Sequence, residues 1–199
     1  MSKIFVFIFF GFSILFISCK RDQSTVGDQY FNDGEYQQAI EAYTEYLKLR
    51  PKNVKTLYNR GRAYEEVGEY DKALEDFLKV VELDENNDNV YLSIGKYYYR
   101  QENIDKAGLY FEKALDINDR NATAHYLRGR VSHIRGLFSE AIESYSKAIN
   151  IDHDLGEAYL YRGAIRMRNN RKANACDDFR MAKTLKVPGA DAAIRKYCR

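Results

Sequence analysis

Apolar residues in the segment 57–80 recur with the spacing expected of amphipathic helices. The pattern predicts two short helices joined at Gly68, and the same skeleton returns along the chain every 34 residues. Small residues repeat at that interval in two series, with no insertion or deletion between repeats. The first series is Gly27, Gly61, Gly95, Gly129 and Gly163, and the second is Ala39, Ala73, Ala107, Ala141 and Ala175. A strict period of this size predicts a stacked array of one supersecondary unit.

The period also predicts where the helices lie, because Gly and Asn residues mark the turns between them. These turn residues are Gly34, Gly68, Asn103, Gly136 and Asn170. The first helices of the later repeats are expected at 54–67, 88–101, 122–135 and 156–169. The second helices are expected at 36–49, 70–83, 104–117, 138–151 and 172–185.

The two ends of the array should differ from its middle. The first helix is expected to begin near Ser24 and to be frayed, since Thr25 and Gly27 form helix poorly. The tail, residues 190–199, should form one more amphipathic helix that caps the last repeat. Its covering residues are expected to be Ala192, Ile194 and Tyr197.

The repeated residues resemble the tetratricopeptide signature, W-x2-L-G-x2-Y…A-x3-F…P. The Gly and Ala of the signature fall on the two series above, and its second aromatic falls on Tyr43, Phe77, Phe111, Tyr145 and Phe179. The first aromatic is lost at Ser132 and Arg166, and the opening Trp is absent throughout.

This resemblance implies an all-α protein, a right-handed α-solenoid of five helix-turn-helix repeats with a C-terminal capping helix. After residues 1–18, the units are expected at 19–53, 54–87, 88–121, 122–155 and 156–189, followed by the cap at 190–199. Because this fold is a scaffold used for many partners, the resemblance implies protein binding and not a particular reaction.

A second internal pattern predicts ion pairs inside the repeats. Two repeats that have Arg just before the recurring Gly also have Asp three residues after the recurring Ala. We therefore expect the bridges Arg60–Asp76 and Arg162–Asp178. The fourth repeat breaks the rule, with Arg128 and Ser144 at these positions.

The N-terminal residues 1–18 do not fit the repeat pattern and have the features of an export signal. Lys3 precedes an apolar run of 14 residues, Ile4 to Ile17, which is short for a bilayer span but typical of a signal-peptide core. The run ends in Phe16-Ile17-Ser18-Cys19, which resembles a bacterial lipobox. The resemblance implies that Cys19 is acylated and becomes the mature N-terminus. The alternative is an ordinary secretory signal or N-terminal anchor with Cys19 incidental.

Acylation of Cys19 would place the protein in the bacterial cell envelope, with the outer membrane favoured. Each buried CH2 of an acyl chain contributes about 0.8 kcal/mol to membrane binding. The tether between Cys19 and the first repeat is short, so the solenoid should lie close to the membrane.

Composition and motifs argue against catalysis. Charged residues make up 30% of the chain, but the formal net charge is only +2, which gives no global attraction to nucleic acid. The sequence has no Gly-rich phosphate loop, no zinc spacing and no nucleophile elbow. We therefore expect no enzyme, no catalytic residues, no metal site, no cofactor and no nucleic-acid partner.

The two remaining cysteines, Cys176 and Cys198, allow a disulfide in an exported protein. They lie on either side of Pro188 at similar distances along the chain, so an antiparallel helix hairpin would bring them together. Such a bond would link the capping helix covalently to the last repeat and stabilise it by about 3 kcal/mol. The alternative is a buried Cys176 and a free Cys198, and the sequence leaves both open.

The resemblance also implies a binding surface, because in this family the first helix of each repeat lines the concave side. The middle repeats place a basic row beside tyrosines there: Arg62, Lys96 and Arg130 with Tyr58, Tyr99 and Tyr126. Such a surface suits an extended peptide with acidic side chains or a C-terminal carboxylate. The alternative is a solvated row partnered by Glu65 and Glu66. The family's carboxylate clamp is not reproduced, since Ser24 and Asp28 occupy its first-repeat positions.

The function that follows is a lipid-anchored scaffold or adaptor that binds a protein or peptide in the concave groove. One alternative is a self-associating structural scaffold, which would form homo-oligomers. The other is a non-catalytic subunit of a cell-envelope assembly or peptidoglycan-remodelling complex.

Overall fold

The computed structural model describes residues 23–198, and every regular element in that range is an α-helix. The odd-numbered helices are α1 (Gln23–Asn32), α3 (Val54–Glu66), α5 (Asp88–Arg100), α7 (Ala122–Ile134), α9 (Gly156–Arg168) and α11 (Ala190–Tyr197). The even-numbered helices are α2 (Tyr36–Leu49), α4 (Tyr70–Leu83), α6 (Ile104–Ile117), α8 (Phe138–Ile151) and α10 (Lys172–Thr184). Each helix packs chiefly on the helix before it and the helix after it, so the pairs stack into a solenoid.

The helix bounds follow the 34-residue period closely, and the differences lie at the helix ends. Helices α3, α5, α7 and α9 each end one residue earlier than expected, because the residue after each helix is its C-cap. Asn103 lies in the expected turn of the third repeat, but it is not the residue with the left-handed backbone conformation. In the third repeat the left-handed residue is Glu102, with φ 57°, and Asn103 instead caps α6 by accepting a hydrogen bond from the Lys106 amide at 3.1 Å. Glu102 thus occupies a conformation that favours Gly, as at Gly68 and Gly136.

The recurring glycines lie against the recurring aromatic rings of the same repeat. A Cβ added at Gly61 would lie 2.5 Å from Cε1 of Phe77, and one added at Gly95 would lie 2.5 Å from Cε1 of Phe111. The same contact joins Gly129 to the ring of Tyr145. The glycines therefore let the two helices of a repeat approach closely, while the recurring alanines lie fully buried beside them.

The two predicted ion pairs are confirmed. Arg60 binds the carboxylate of Asp76 with Nε and Nη2, both at 2.7 Å. Arg162 binds Asp178 in the same two-pronged way, at 3.2 and 2.7 Å, and Arg166 adds a third contact to that carboxylate at 2.8 Å. Arg166 thus replaces the lost aromatic of the fifth repeat with a polar contact.

In the fourth repeat the same geometry is kept with an uncharged partner. The Nε of Arg128 donates to the Ser144 hydroxyl at 3.1 Å. The arginines at this position therefore join the two helices of a repeat.

The last helix caps the array as expected, but one of its covering residues was assigned wrongly. Ala190 is buried and Ile194 is half-buried, whereas Ala192 is exposed. The reason is the helical phase: α11 begins at Ala190, so residues three and four positions further along share its inward face. A disulfide joins Cys176 of α10 to Cys198 at the end of α11.

The segment before Gln23 lies outside the described residues, and so do the predictions for the signal peptide and for Cys19. Across residues 23–198, no helix is both long and apolar enough to cross a membrane.

Candidate functional site

Two clefts open between successive odd-numbered helices. The first, about 310 Å³, lies between α1 and α3 and is lined in part by Tyr58 and Arg62. The second, about 750 Å³, lies between α5 and α7 and is lined in part by Lys96 and Tyr99. The predicted groove residues on α3 and α5 therefore line cavities of a size that admits side chains of a partner. We call the surface formed by α1, α3, α5, α7 and α9 the groove.

The basic row is not uniform, and Arg62 is already partnered. Its Nε lies 3.2 Å from Glu65, and its Nη2 lies 3.9 Å from Glu66. For Arg62 the alternative of a solvated, internally compensated cation therefore holds.

Lys96 lies on α5, and the residue is exposed when all its atoms are counted. Protein atoms around its ammonium nevertheless desolvate it, which lowers the pKa of Lys96, and the charges of Arg62 and Arg100 act in the same direction. Burial also raises the pKa of Glu65, the carboxylate that acts most strongly on Lys96. The charges of Lys96 on α5 and Glu65 on α3 thus act on each other, and no ion pair between them forms in the described structure.

Arg130 has different surroundings, because aromatic groups hold it. Its Nη1 donates to the Tyr126 hydroxyl at 3.1 Å. Its Cζ lies 4.1 Å from the ring centroid of Tyr161 and 5.8 Å from that of Tyr99. Within residues 24–198 no carboxylate lies within 4 Å of its guanidinium nitrogens. Arg130 is therefore a cation held by aromatic groups, with no ion-pair partner among the described residues.

A buried hydroxyl lies near Arg130, close enough for the charge of Arg130 to act on it. The Tyr145 side chain is fully buried, and its hydroxyl has no hydrogen-bond partner among the described residues. Its ring lies 6.0 Å from the ring of Tyr126 and 6.2 Å from that of Tyr161. Burial raises the pKa of Tyr145, and the nearby charge of Arg130 opposes this shift. The hydroxyl is therefore a neutral donor at the base of the groove.

The equivalent tyrosine of the first repeat is fully satisfied. Tyr43 donates its hydroxyl to Asp28 at 2.8 Å, and Asn59 and Lys55 donate to the same carboxylate at 2.8 and 2.7 Å. Burial alone would raise the pKa of Asp28, but the hydrogen bonds from Lys55, Tyr43 and Asn59 hold it below its ordinary value. At this end of the groove the Asp28 carboxylate therefore already has its partners within the chain.

Two groove residues escaped the sequence reasoning. Tyr161 was not among the expected concave positions, and yet its ring lies closer to Arg130 than any predicted residue's ring does. Tyr145 was counted only as a core aromatic. The signal for it was present, since this position is Tyr in the first and fourth repeats and Phe in the other three.

His133 completes the groove wall on α7. Its ring lies 5.9 Å from Phe138 and 6.4 Å from Tyr161. Desolvation lowers the pKa of His133, and the charges of Arg130 and Arg168 lower it further. In the part of the chain that the structure covers, no cluster of side chains suited to a metal ion occurs. The arrangement is thus one of aromatic faces, cations and a buried donor, which suits binding.

The helix pairs, their constant period and the groove between them define a helical-repeat solenoid of the kind that serves as a protein–protein interaction scaffold. Three family models match the chain. They are a tetratricopeptide repeat over residues 54–87, a TPR repeat over 27–68 and a second tetratricopeptide repeat over 92–156. The chain belongs to the tetratricopeptide-repeat proteins.

Solved structures of similar fold agree with this assignment. A structure of MamA shares 29% sequence identity, with a TM-score of 0.71, and the match covers 83% of this chain and 97% of that one. PilW, a type IV pilus biogenesis factor, shares 20% identity with a TM-score of 0.72 over 82% of this chain and 76% of its own. YrrB, a TPR protein with an unusual peptide-binding site, shares 17% identity with a TM-score of 0.68 over 87% and 90%. The last two likenesses concern the fold alone. None of the curated proteins matches the chain.

Proposed function

We propose that this protein is a lipid-anchored, non-catalytic adaptor that holds an extended segment of a partner protein in the groove. The observation that carries the proposal is Arg130, a cation held by two aromatic rings and a hydroxyl, with no carboxylate beside it in the part of the chain that the structure describes. Such a cation is available to an anionic group, because a charge-assisted bond to the guanidinium can replace its bond to the neutral Tyr126 hydroxyl.

The clefts on either side give the partner's side chains a place to lie. The larger cleft combines the cations Lys96 and Arg100 with the apolar side chains of Leu127 and Ile134. Ile134 is an exposed apolar residue inside a concave surface, which is typical of a binding groove. YrrB, described as having a peptide-binding site, supports peptide recognition by a solenoid of this fold.

Anchoring through Cys19 is a separate part of the proposal. A signal-peptide core followed by a lipobox-like cysteine supports acylation and a location in the cell envelope, with the outer membrane favoured. Metabolic labelling with a palmitate analogue tests it in the native host. We expect Cys19→Ala to abolish the label and Ser18→Ala to retain it. Equal labelling of the Cys19→Ala variant would refute lipidation at this residue.

The groove is tested by charge reversal with a matched control. A photo-crosslinking amino acid at Leu127 in intact cells should capture a partner, and Arg62→Glu, Lys96→Glu and Arg130→Glu together should abolish the capture. The control reverses three lysines that lie on α4, α6 and α8, one period apart, and should leave the crosslink unchanged: Lys79, Lys113 and Lys147. An equal loss in both triple variants would point to a general charge effect and would contradict a groove-specific partner.

The same crosslink separates the competing functions. If the captured partner is a second copy of the chain, as light scattering would also reveal, the self-associating scaffold replaces the adaptor. If it is an envelope enzyme, the protein is a non-catalytic subunit of that enzyme's complex.

A further inference from the structure

The first and fourth repeats place a tyrosine hydroxyl at equivalent points beneath the groove and give it opposite surroundings. Tyr43 and Tyr145 lie 102 residues apart, three full periods. The hydroxyl of Tyr43 donates to Asp28 at 2.8 Å, whereas that of Tyr145 is buried without a partner in the described part of the chain. The two sites differ in the residues around the hydroxyl and not in the position of the ring, since each ring packs on the glycine of its own repeat.

Substitutions at two equivalent positions explain the difference. Three periods after Asp28 the chain has Arg130, so the carboxylate that accepts the hydrogen bond of the Tyr43 hydroxyl is replaced by a cation. Three periods after Asn59 it has Tyr161, whose ring lies under that cation at 4.1 Å. The fourth repeat therefore keeps the tyrosine donor, adds a guanidinium and lacks the acceptor.

We infer that Arg130 and Tyr145 form a subsite for one carboxylate of the bound partner, in place of the carboxylate that Asp28 supplies in the first repeat. The inference deepens the proposed function and rests on it, since it assumes that a peptide lies in the groove. The carboxylate accepts two hydrogen bonds from the Arg130 guanidinium. To make them, the guanidinium gives up its bond to the Tyr126 hydroxyl. Once Arg130 has moved, the Tyr145 hydroxyl donates the third bond, which it lacks in the unliganded protein.

The neighbouring cleft adds a preference for the type of residue that lies next to the acidic group in the partner. Tyr99 lines this cleft and also lies beside Arg130, so the two sites are continuous. Leu127 and Ile134 supply its apolar wall. The subsite thus suits an acidic residue or a chain terminus next to a large aliphatic side chain.

Three capped peptides test the inference on the full-length chain in detergent. Acetyl-Leu-Glu-Leu-amide carries a side-chain carboxylate, acetyl-Leu-Gln-Leu-OH carries a terminal carboxylate, and acetyl-Leu-Gln-Leu-amide carries neither. Nitrogen-15 NMR follows the Nε–Hε signal of Arg130, assigned through its loss in Arg130→Gln, up to about 10 mM peptide, since isolated contacts of this kind are weak. We expect at least one carboxylate peptide to shift this signal and to bind about tenfold more tightly than the neutral peptide.

Two variants decide what the tyrosine contributes. Tyr145→Phe should remove most of the preference for the carboxylate peptide, and Tyr43→Phe should leave it unchanged because its hydroxyl already serves Asp28. Equal binding of charged and neutral peptides, no shift of Arg130 with any of them, or an unaltered preference in Tyr145→Phe would overturn the subsite. A groove crosslink that persists alongside such a result would leave the adaptor function standing, and its absence would remove both.

Discussion

Replacing Tyr145 by Phe should stabilise the solenoid, although the substitution deletes a polar atom from a tyrosine that packs well. The hydroxyl is buried and has no partner in the described structure, and a buried unsatisfied group of this kind costs about 1–3 kcal/mol. The ring itself is retained, and Phe occupies the equivalent position at Phe77, Phe111 and Phe179, each as deeply buried. We therefore expect Tyr145→Phe to raise the free energy of unfolding by about 1 kcal/mol, the lower end of that range.

The matched variant Tyr43→Phe should have the opposite effect. Its hydroxyl donates to the carboxylate of Asp28 at 2.8 Å, and a hydrogen bond to a charged group contributes about 1.5–3 kcal/mol. Lys55 and Asn59 still bind that carboxylate in the variant, so the loss should fall at the low end of the range. The two substitutions are chemically identical and differ only in whether the hydroxyl has an acceptor.

Urea unfolding followed by circular dichroism measures both changes, and thermal unfolding checks them. For a chain of this size, about 1 kcal/mol corresponds to about 2–4 °C in Tm. A loss of stability in Tyr145→Phe equal to that in Tyr43→Phe would refute the reasoning, because it would mean that the Tyr145 hydroxyl has an acceptor in the unliganded protein.

Four further changes test other parts of the structure. Glu102→Gly should raise Tm, because it relieves a left-handed backbone conformation that costs a non-glycine residue about 1 kcal/mol. Arg60→Met should lower the free energy of unfolding by about 3–5 kcal/mol in urea titrations, since it leaves the buried carboxylate of Asp76 without its bidentate partner. Desolvation holds the pKa of His125 below its ordinary value of 6.5, so stability should be full above that pH and fall below it. Chemical unfolding across that range should show the slope, and His125→Gln should reduce it. Cys198→Ser should lower the free energy of unfolding by about 3 kcal/mol under non-reducing conditions, with the pairing checked by non-reducing peptide mapping.

Each of these expectations has a result that contradicts it. A lower Tm in Glu102→Gly would mean that the left-handed conformation carries no strain there. An Arg60→Met loss no larger than that of an exposed pair, such as Arg180 with Asp177, would mean that Asp76 finds another partner. An unchanged pH slope in His125→Gln would assign the slope to another group. Two free thiols in the peptide map would show that no disulfide holds the cap, which would then be stabilised by its helix contacts alone.

The structure also changes how the basic row is understood. The sequence presents Arg62, Lys96 and Arg130 as equivalents one period apart. In the folded chain Arg62 is paired with Glu65, burial lowers the pKa of Lys96, and Arg130 lies against aromatic rings. The candidate site therefore narrows from a row of three cations to the surface around Arg130.

The sequence by itself determined the class of fold, the order of the helices and their bounds to within one or two residues. It could do so because these features depend on local periodicity and on small residues whose packing repeats every 34 residues. The pairs Arg60–Asp76 and Arg162–Asp178 were also accessible, since two positions inside one repeat vary together and lie on neighbouring helices.

Only the tertiary structure decided which groove residues remain available to a partner. Arg130 meets Tyr99 and Tyr161 from the repeats before and after it, so its surroundings depend on how neighbouring repeats stack. The backbone at Glu102 and the unpaired hydroxyl of Tyr145 are likewise set by packing that overrides local preference. A period states which residues are equivalent in sequence, whereas the contacts between repeats determine what each of them touches.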